Sequence, residues 1–210
     1  MRVLAVIAAM LFSLAACADS DSAPKYEAGK HYQVLPEAVR TDDASKIEVR
    51  EVFAYTCNHC FRFESVFAPW IKKQADDVNV VKTPVVWAAQ MEQYARAYYT
   101  AQSLGIIDEA HMDIFTTIHV QRHQFRGVED WAEFFAQYGA EKDRVTATFE
   151  SFGVNSQLKQ ADARVRAYGI TGTPELIVDG RYRISASDAG SHENMLKVAD
   201  FLIEQIRAEQ

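Results

Sequence analysis

The sequence predicts an α/β domain interrupted in its middle by a helical domain. Three observations carry that expectation. Two β-rich stretches, "KIEVREVFAY" and "VNVVKTPVVW", enclose one amphipathic helical stretch. From about Met91 to Tyr168 the periodicity is mostly helical. Then "PELIVDGRYRI", with Asp-Gly between two short apolar runs, signals a hairpin before one last helix. The chain has 210 residues, 49% of them apolar, enough for one large domain or one domain with a sizeable insertion.

The N-terminus reads as a targeting segment over 1–18. Arg2 supplies the positive start, and "VLAVIAAMLFSL" is an apolar run too short for a comfortable membrane span. "LAAC", ending at Cys17, is similar to the lipobox of bacterial lipoproteins, in which the cysteine is lipidated and becomes the first residue. A competing cut after Ala18 uses the small residues Ala16 and Ala18. Both readings export the chain. Residues 19–29, polar with a proline and a glycine, read as a flexible tether.

The α/β part is assigned to 30–90 and 169–210. "HYQVL" is a short strand candidate. "KIEVREVFAY" alternates and is β-branched, a strand running into the centre of the fold. Phe63, Val66, Phe67 and Trp70 then recur at three and four, giving a helix with one apolar face. "VNVVKTPVVW" is expected as a second central strand. The helical block, 91–168, reads as five helices. "QYARAYYTAQSLG" ends on a glycine, "DEAHMDIFTTIHVQR" opens with acids at its dipole-positive end, and "GVEDWAEFFAQYG", "EKDRVTATFESFG" and "SQLKQADARVRAYG" each end on glycine. The last helix places Leu196, Ala199, Leu202, Ile203 and Ile206 on one face.

The net charge of −7 and the lack of a basic stripe argue against a nucleic-acid partner. After residue 20 no stretch is apolar enough to span a bilayer. Of the three cysteines, Cys17 is removed as a free thiol by either cleavage, which leaves Cys57 and Cys60 as one pair in an oxidising compartment.

That pair has three readings. A structural zinc site usually needs four ligands, and a second cysteine pair is absent; His59, His111, His119 and His123 could be borrowed, and His119 and His123 have the spacing of one helical face. More often such histidines sit on solvated helix surfaces. A purely structural disulfide across two residues closes a very small loop and stabilises weakly. A redox pair has a mechanism. Cys57 follows a strand and opens a helix, where unpaired N–H groups and the helix dipole favour the thiolate. Cys60, one turn further in, is placed to resolve a mixed disulfide. His59 between them can add positive charge or a hydrogen bond to the reduced dithiol.

"EVFAYTCNHC" resembles the active-site segment of the DsbA family of thiol:disulfide oxidoreductases, and "GITGTPELIVDGRY" resembles that family's second signature. The resemblance covers the chain from about residue 30 onward and implies a thioredoxin-like fold with an inserted helical domain. The DsbA family is itself the standard example of a low-pKa cysteine and a strongly oxidising disulfide. The resemblance implies that Cys57 is the exposed nucleophile and Cys60 the buried partner. Asn58 and His59 stand at the variable, potential-tuning dipeptide. Pro174, preceded by Thr173, stands at the cis-proline, where a backbone edge is left for a substrate peptide. Glu51 stands at a buried acid beneath the disulfide that exchanges protons with Cys60, with Lys82 as its charge partner. The family's commonest dipeptide is Pro-His. Asn58 in place of proline restores an N–H near the sulfur and leaves the strength of oxidation open.

The function implied is a periplasmic oxidase that introduces disulfides into reduced, unfolded exported proteins, without metal or cofactor, and is reoxidised by a DsbB-like quinone-linked membrane protein. The alternative is a reductase or isomerase of less oxidising potential. Isomerases of the superfamily usually carry an N-terminal dimerisation domain, and about thirty residues before the active-site strand are too few for one, which favours a monomer. A lipid-anchored binding module or chaperone that merely retains the fold is a third class, against which the intact cysteine pair argues.

Overall fold

The structure, a computed structural model, describes residues 25–209. Its centre is a five-stranded sheet in the order β1-β5-β4-β2-β3. The strands are β1 (Gln33–Val34), β2 (Ile47–Phe53), β3 (Val78–Pro84), β4 (Glu175–Val178) and β5 (Tyr182–Ser185). Only β2 and β3 run parallel, joined by α1 (Asn58–Ile71). Between β3 and β4 lie α2 (Ala89–Leu104), α3 (Ile107–His119), α4 (Val128–Ala136), α5 (Lys142–Phe149) and α6 (Phe152–Ala167). After β5 come the short α7 (Ala186–Ala189) and α8 (His192–Glu209).

Every residue of β2 is buried. Alternate side chains of a strand point to opposite faces. Ile47 and Val49 therefore join Phe63, Phe67 and Trp70 of α1 and Leu196, Leu202 and Ile206 of α8 in one core, while Val52 joins Val165, Tyr168 and Ile177 on the other side. Full burial of a side chain such as Phe67 contributes about 1.5–3 kcal/mol. A third core lies among α2–α6, centred on Trp131, Phe115 and Phe135, and reaches Phe53, Tyr55 and Cys60. The helical block is thus packed directly onto the cysteine-bearing end of the sheet.

The Asp179-Gly180 turn has positive φ at both residues, 53° and 62°, as the tight hairpin turn requires. Gly180 is also fixed by space, since a Cβ there would stand 1.9 Å from the Val39 carbonyl oxygen.

Four local expectations change. "VNVVKTPVVW" forms an edge strand rather than a central one: β3 pairs with β2 alone. Gly153 does not end a helix but lies inside α6; α5 stops at Phe149, and Ser151 caps α6 by accepting the Val154 N–H at 3.2 Å. His119 and His123 do not share a helix face, because α3 ends at His119. The tether expected to reach residue 29 is seated by Tyr26, which is buried against Phe201 with its hydroxyl directed to Asn194 at 3.3 Å. The signal segment and Cys17 lie outside the described residues. Among the described residues no helix is long and apolar enough to cross a membrane.

Candidate active site

Cys57 is the N-cap of α1. Its extended backbone (φ −87°, ψ 115°) turns the strand-end chain into the helix, and its sulfur accepts the Cys60 N–H at 3.3 Å. A serine or aspartate is the usual occupant of such a place; here the capping atom is a sulfur, and the cap stabilises its anion. Cys60 is fully buried and Cys57 half-buried, and both are free thiols. The Cys57 thiol donates to the Thr173 carbonyl at 3.3 Å, and the Thr173-Pro174 bond is cis. The segment 171–174 therefore faces the outer sulfur.

The two sulfurs are biased in opposite directions. A hydrogen bond from the Cys60 thiol is the largest influence on Cys57; burial opposes it, and Thr173 together with the Cys60 and His59 N–H groups adds to it, so that the Cys57 thiol falls to about 5. Burial pushes the Cys60 thiol far up, and the hydrogen bond it gives to Cys57 and the charge of Glu51 push it further.

Beneath Cys60 lies a buried charge cluster. Glu51 of β2 is directly opposite Lys82 of β3 in the parallel register, and the two form an ion pair. Lys82 also meets Glu64 of α1 at 2.5 Å. His111 of α3 completes the chain, with Nε2 3.2 Å from Glu64 and Nδ1 2.7 Å from the Tyr55 hydroxyl. Burial holds His111 toward its neutral form. With Tyr55 donating to Nδ1, the ring's remaining proton sits on Nε2 and points at Glu64. Burial works against the Glu64 charge, but the His111 hydrogen bond and Lys82 outweigh it and hold its carboxyl below the usual range. Glu51 goes the other way: burial pushes its carboxyl up, Lys82 offsets part of this, and the neighbouring Glu64 charge adds to it. One lysine cannot neutralise both acids, and of the two Glu51 is the one that holds a proton more tightly. Its Oε1 is buried with no hydrogen-bond partner.

A cavity of about 630 Å³ opens beside β3 and is lined in part by Glu64, Lys82 and His111. A smaller one, about 370 Å³, lies beside the proline loop and is lined by His59, Thr173, Pro174 and His192 among others.

The structure thus brings Cys57, Cys60, Thr173 and Pro174 into one locality, with Glu51 and Lys82 below it. Asn58 and His59 are exposed at the helix start. The His59 ring turns to His192 at 6.2 Å between centroids, and what reaches the sulfur from His59 is its backbone N–H. Sequence reasoning missed Glu64 and placed His111 on a solvated surface. Both lie in apolar stripes. Glu64 follows Cys60 by four residues and precedes Phe67 by three, and His111 precedes Ile114 and Phe115 by three and four. A charged residue inside a buried stripe was the available signal.

A thioredoxin-type sheet carrying two unequal thiols at a helix start defines a thiol:disulfide oxidoreductase. Comparison with known proteins narrows the class. The family described as DSBA-like thioredoxin domain matches residues 84–198. Thiol:disulfide interchange protein DsbA of Pseudomonas aeruginosa is 36% identical over 200 residues, covering 95% of this chain and 92% of the relative. The protein of the same name from Azotobacter vinelandii is also 36% identical, covering 95% and 94%. The crystal structure of Pseudomonas aeruginosa DsbA superposes with a TM-score of 0.84 at 35% identity, over 89% of this chain and 97% of that one. The chain belongs to the DsbA family of thiol:disulfide oxidoreductases.

Proposed function

We propose that Cys57 and Cys60 form the redox couple of a periplasmic oxidase acting on reduced, unfolded exported proteins. The observation that carries this reading is the opposite bias on the two sulfurs, Cys57 toward thiolate and Cys60 toward thiol.

In the oxidised enzyme a substrate thiolate attacks Cys57. A substrate–Cys57 disulfide forms, the Cys57–Cys60 bond breaks, and the electron pair leaves on Cys60. That sulfur takes a proton, for which Glu51 is the nearby neutral acid, with Lys82 holding the charge balance. A second substrate thiolate then attacks the substrate sulfur of the mixed disulfide. The substrate leaves with its own disulfide and Cys57 departs as thiolate. Two electrons pass from substrate to enzyme; of the two substrate protons, one is matched at Cys60 and the other goes to solvent. A low-pKa thiol leaves fast, and its stabilised anion makes the reduced enzyme the favoured product. Thr173 and Pro174 present the backbone edge along which the substrate segment lies, and Asn58 and His59 tune the potential.

A DsbB-like quinone-linked membrane protein returns the pair to the disulfide. The enzyme works as a monomer, exported by its N-terminal signal and held at the membrane by a lipid on Cys17. These four points rest on the sequence and the family. Mass spectrometry of the mature N-terminus tests the anchor, since a free Asp19 would refute it.

Equilibration of the pair against glutathione, alongside oxidation of a reduced protein substrate, tests the direction. An oxidase oxidises the substrate and is itself reduced by modest glutathione. A pair that stays disulfide-bonded in the same buffer would make the protein a reductase or isomerase.

A further inference from the structure

We propose that Glu175 and Arg183 form a clamp that holds the loop from Gly169 to Thr173 where Thr173 meets Cys57, and that both act as positioning residues for the redox pair. Glu175 is the first residue of β4, directly after Pro174, and is only 4% exposed. Its Oε1 accepts the Gly172 N–H at 3.1 Å, and the Thr171 N–H also serves the carboxylate. Arg183 lies on the neighbouring strand β5. Its Nη1 donates to the Gly169 carbonyl and reaches that of Tyr168 at 3.4 Å.

The acid therefore holds donors at one end of the loop and the base holds acceptors at the other. Gly169 fits this arrangement: its φ is +62°, and a Cβ there would stand 3.3 Å from Arg183 Nη1. Between themselves the two charges are poorly matched. Arg183 Nε stands 3.4 Å from Glu175 Oε2, and neither atom has a hydrogen bond of good geometry. A pair kept for its own attraction would align those atoms. Here the well-formed bonds go to the loop backbone instead.

The loop's position matters to the sulfur. The Thr173 carbonyl takes the Cys57 S–H bond at 3.3 Å, and the Thr173 side chain helps hold that thiol low. Hydrogen bonds weaken steeply with misalignment. Releasing the 169–173 segment should cost Cys57 both Thr173 contacts, the carbonyl that holds the thiol and the side chain that favours the thiolate, and blur the edge offered to substrate.

The test rests on the reading of Cys57 as the nucleophile, so the wild-type Cys57 thiolate is titrated first. Glu175→Ala and Glu175→Gln are then compared. Both remove the same charge, but glutamine keeps an acceptor for the loop. The alanine variant is expected to titrate about one pH unit away from the glutamine variant, the tenfold change of one altered hydrogen bond at a charged group. Its KM for a cysteine-containing peptide should rise about tenfold while kcat changes less than about twofold. Val198→Ala, a core truncation in α8, should lower stability and leave both readouts unmoved. Identical titration and KM in the two Glu175 variants would overturn the clamp. If neither variant folds, hydrogen exchange of the Thr171 and Gly172 amides in the wild-type protein decides: protection of about a hundredfold or more is expected, and exchange at the rate of an open loop overturns the proposal. A wild-type Cys57 that titrates as an ordinary thiol would instead defeat the nucleophile reading and leave the exchange result standing by itself.

Discussion

Strand β2 carries two buried charge clusters, one on each face, and they are built on opposite principles. On the face under α6, Arg50 donates to Glu48 at 3.0 Å, to Thr83 at 2.7 Å and to Asp42 at 2.6 Å, while Arg164 adds a second cation at Asp42. Two acids face two bases. Glu48 takes a further bond from the Asp42 N–H at 2.8 Å. On the face under α1, Glu51 and Glu64 share the single charge of Lys82, and Glu51 Oε1 has no partner. Solvent access does not separate the two, since the same cavity touches Arg50 and Asp42 as well as Lys82 and Glu64. The satisfied cluster is structure. The short-changed one lies under Cys60, where a proton left over on a carboxyl is chemically useful. The lesson is that a buried charge points to chemistry when its neighbours fail to balance it.

Replacement of Arg50 should give the largest effect and the least informative one for catalysis. Arg50→Met strands Glu48 and is expected to cost about 3–5 kcal/mol of stability, read by urea denaturation, with the Cys57 thiolate titration unchanged. A matching shift of Cys57 would break the distinction between the two faces.

Glu51→Gln should do the reverse. The folded-state pKa of Glu51 is raised by burial, so the carboxyl costs stability once the pH exceeds its ordinary value and costs nothing below it. The variant is therefore expected to be as stable as the wild type at acid pH and more stable at neutral pH. Proton transfer to Cys60 should slow by about ten- to a hundredfold, measured as single-turnover oxidation of a reduced peptide. Lost stability at neutral pH, or an undiminished rate, would place Glu51 with the structural cluster.

His111→Gln should be the mildest. It loosens the hydrogen bond that keeps Glu64 ionised, so the two carboxyls compete more evenly for Lys82. The expected outcome is a turnover slowed by about threefold and a broader pH–rate profile. An unaltered profile would remove His111 from the cluster.

Much of this was legible from the chain. The period of "KIEVREVFAY", the three-and-four spacing from Phe63 to Trp70 and the Asp179-Gly180 turn are local signals, and local geometry obeys them. Sheet order is not local, and the apolar run of β3 suits an edge strand covered by helices as well as an interior one. Gly153 misled because a glycine stop and a glycine one residue into the next helix look alike in sequence; the Ser151 cap decides between them. At the site, Cys57, Cys60 and the Thr173-Pro174 step follow from motifs, and Glu51 pairs with Lys82 by strand register. Glu64, His111 and Arg183 belong to no motif, and Glu175 lies inside the proline-loop signature, which by itself assigns it no role. Their roles arise from contacts between α1 and α3, or between β5 and the proline loop, that only the folded chain creates.

Ultraviolet titration of thiolate absorbance in the reduced protein tests the central claim most directly. The account predicts one thiol, Cys57, ionising at about 5 and a second, Cys60, silent up to the highest pH at which the protein stays folded. Assignment follows from repeating the titration in Cys60→Ala, where Cys57 loses its hydrogen-bond donor and should move upward while remaining below an ordinary cysteine. Two thiols that ionise together near the usual value, roughly 8.5, would contradict the account, because the helix start and the buried acid would then do nothing to set one sulfur apart from the other.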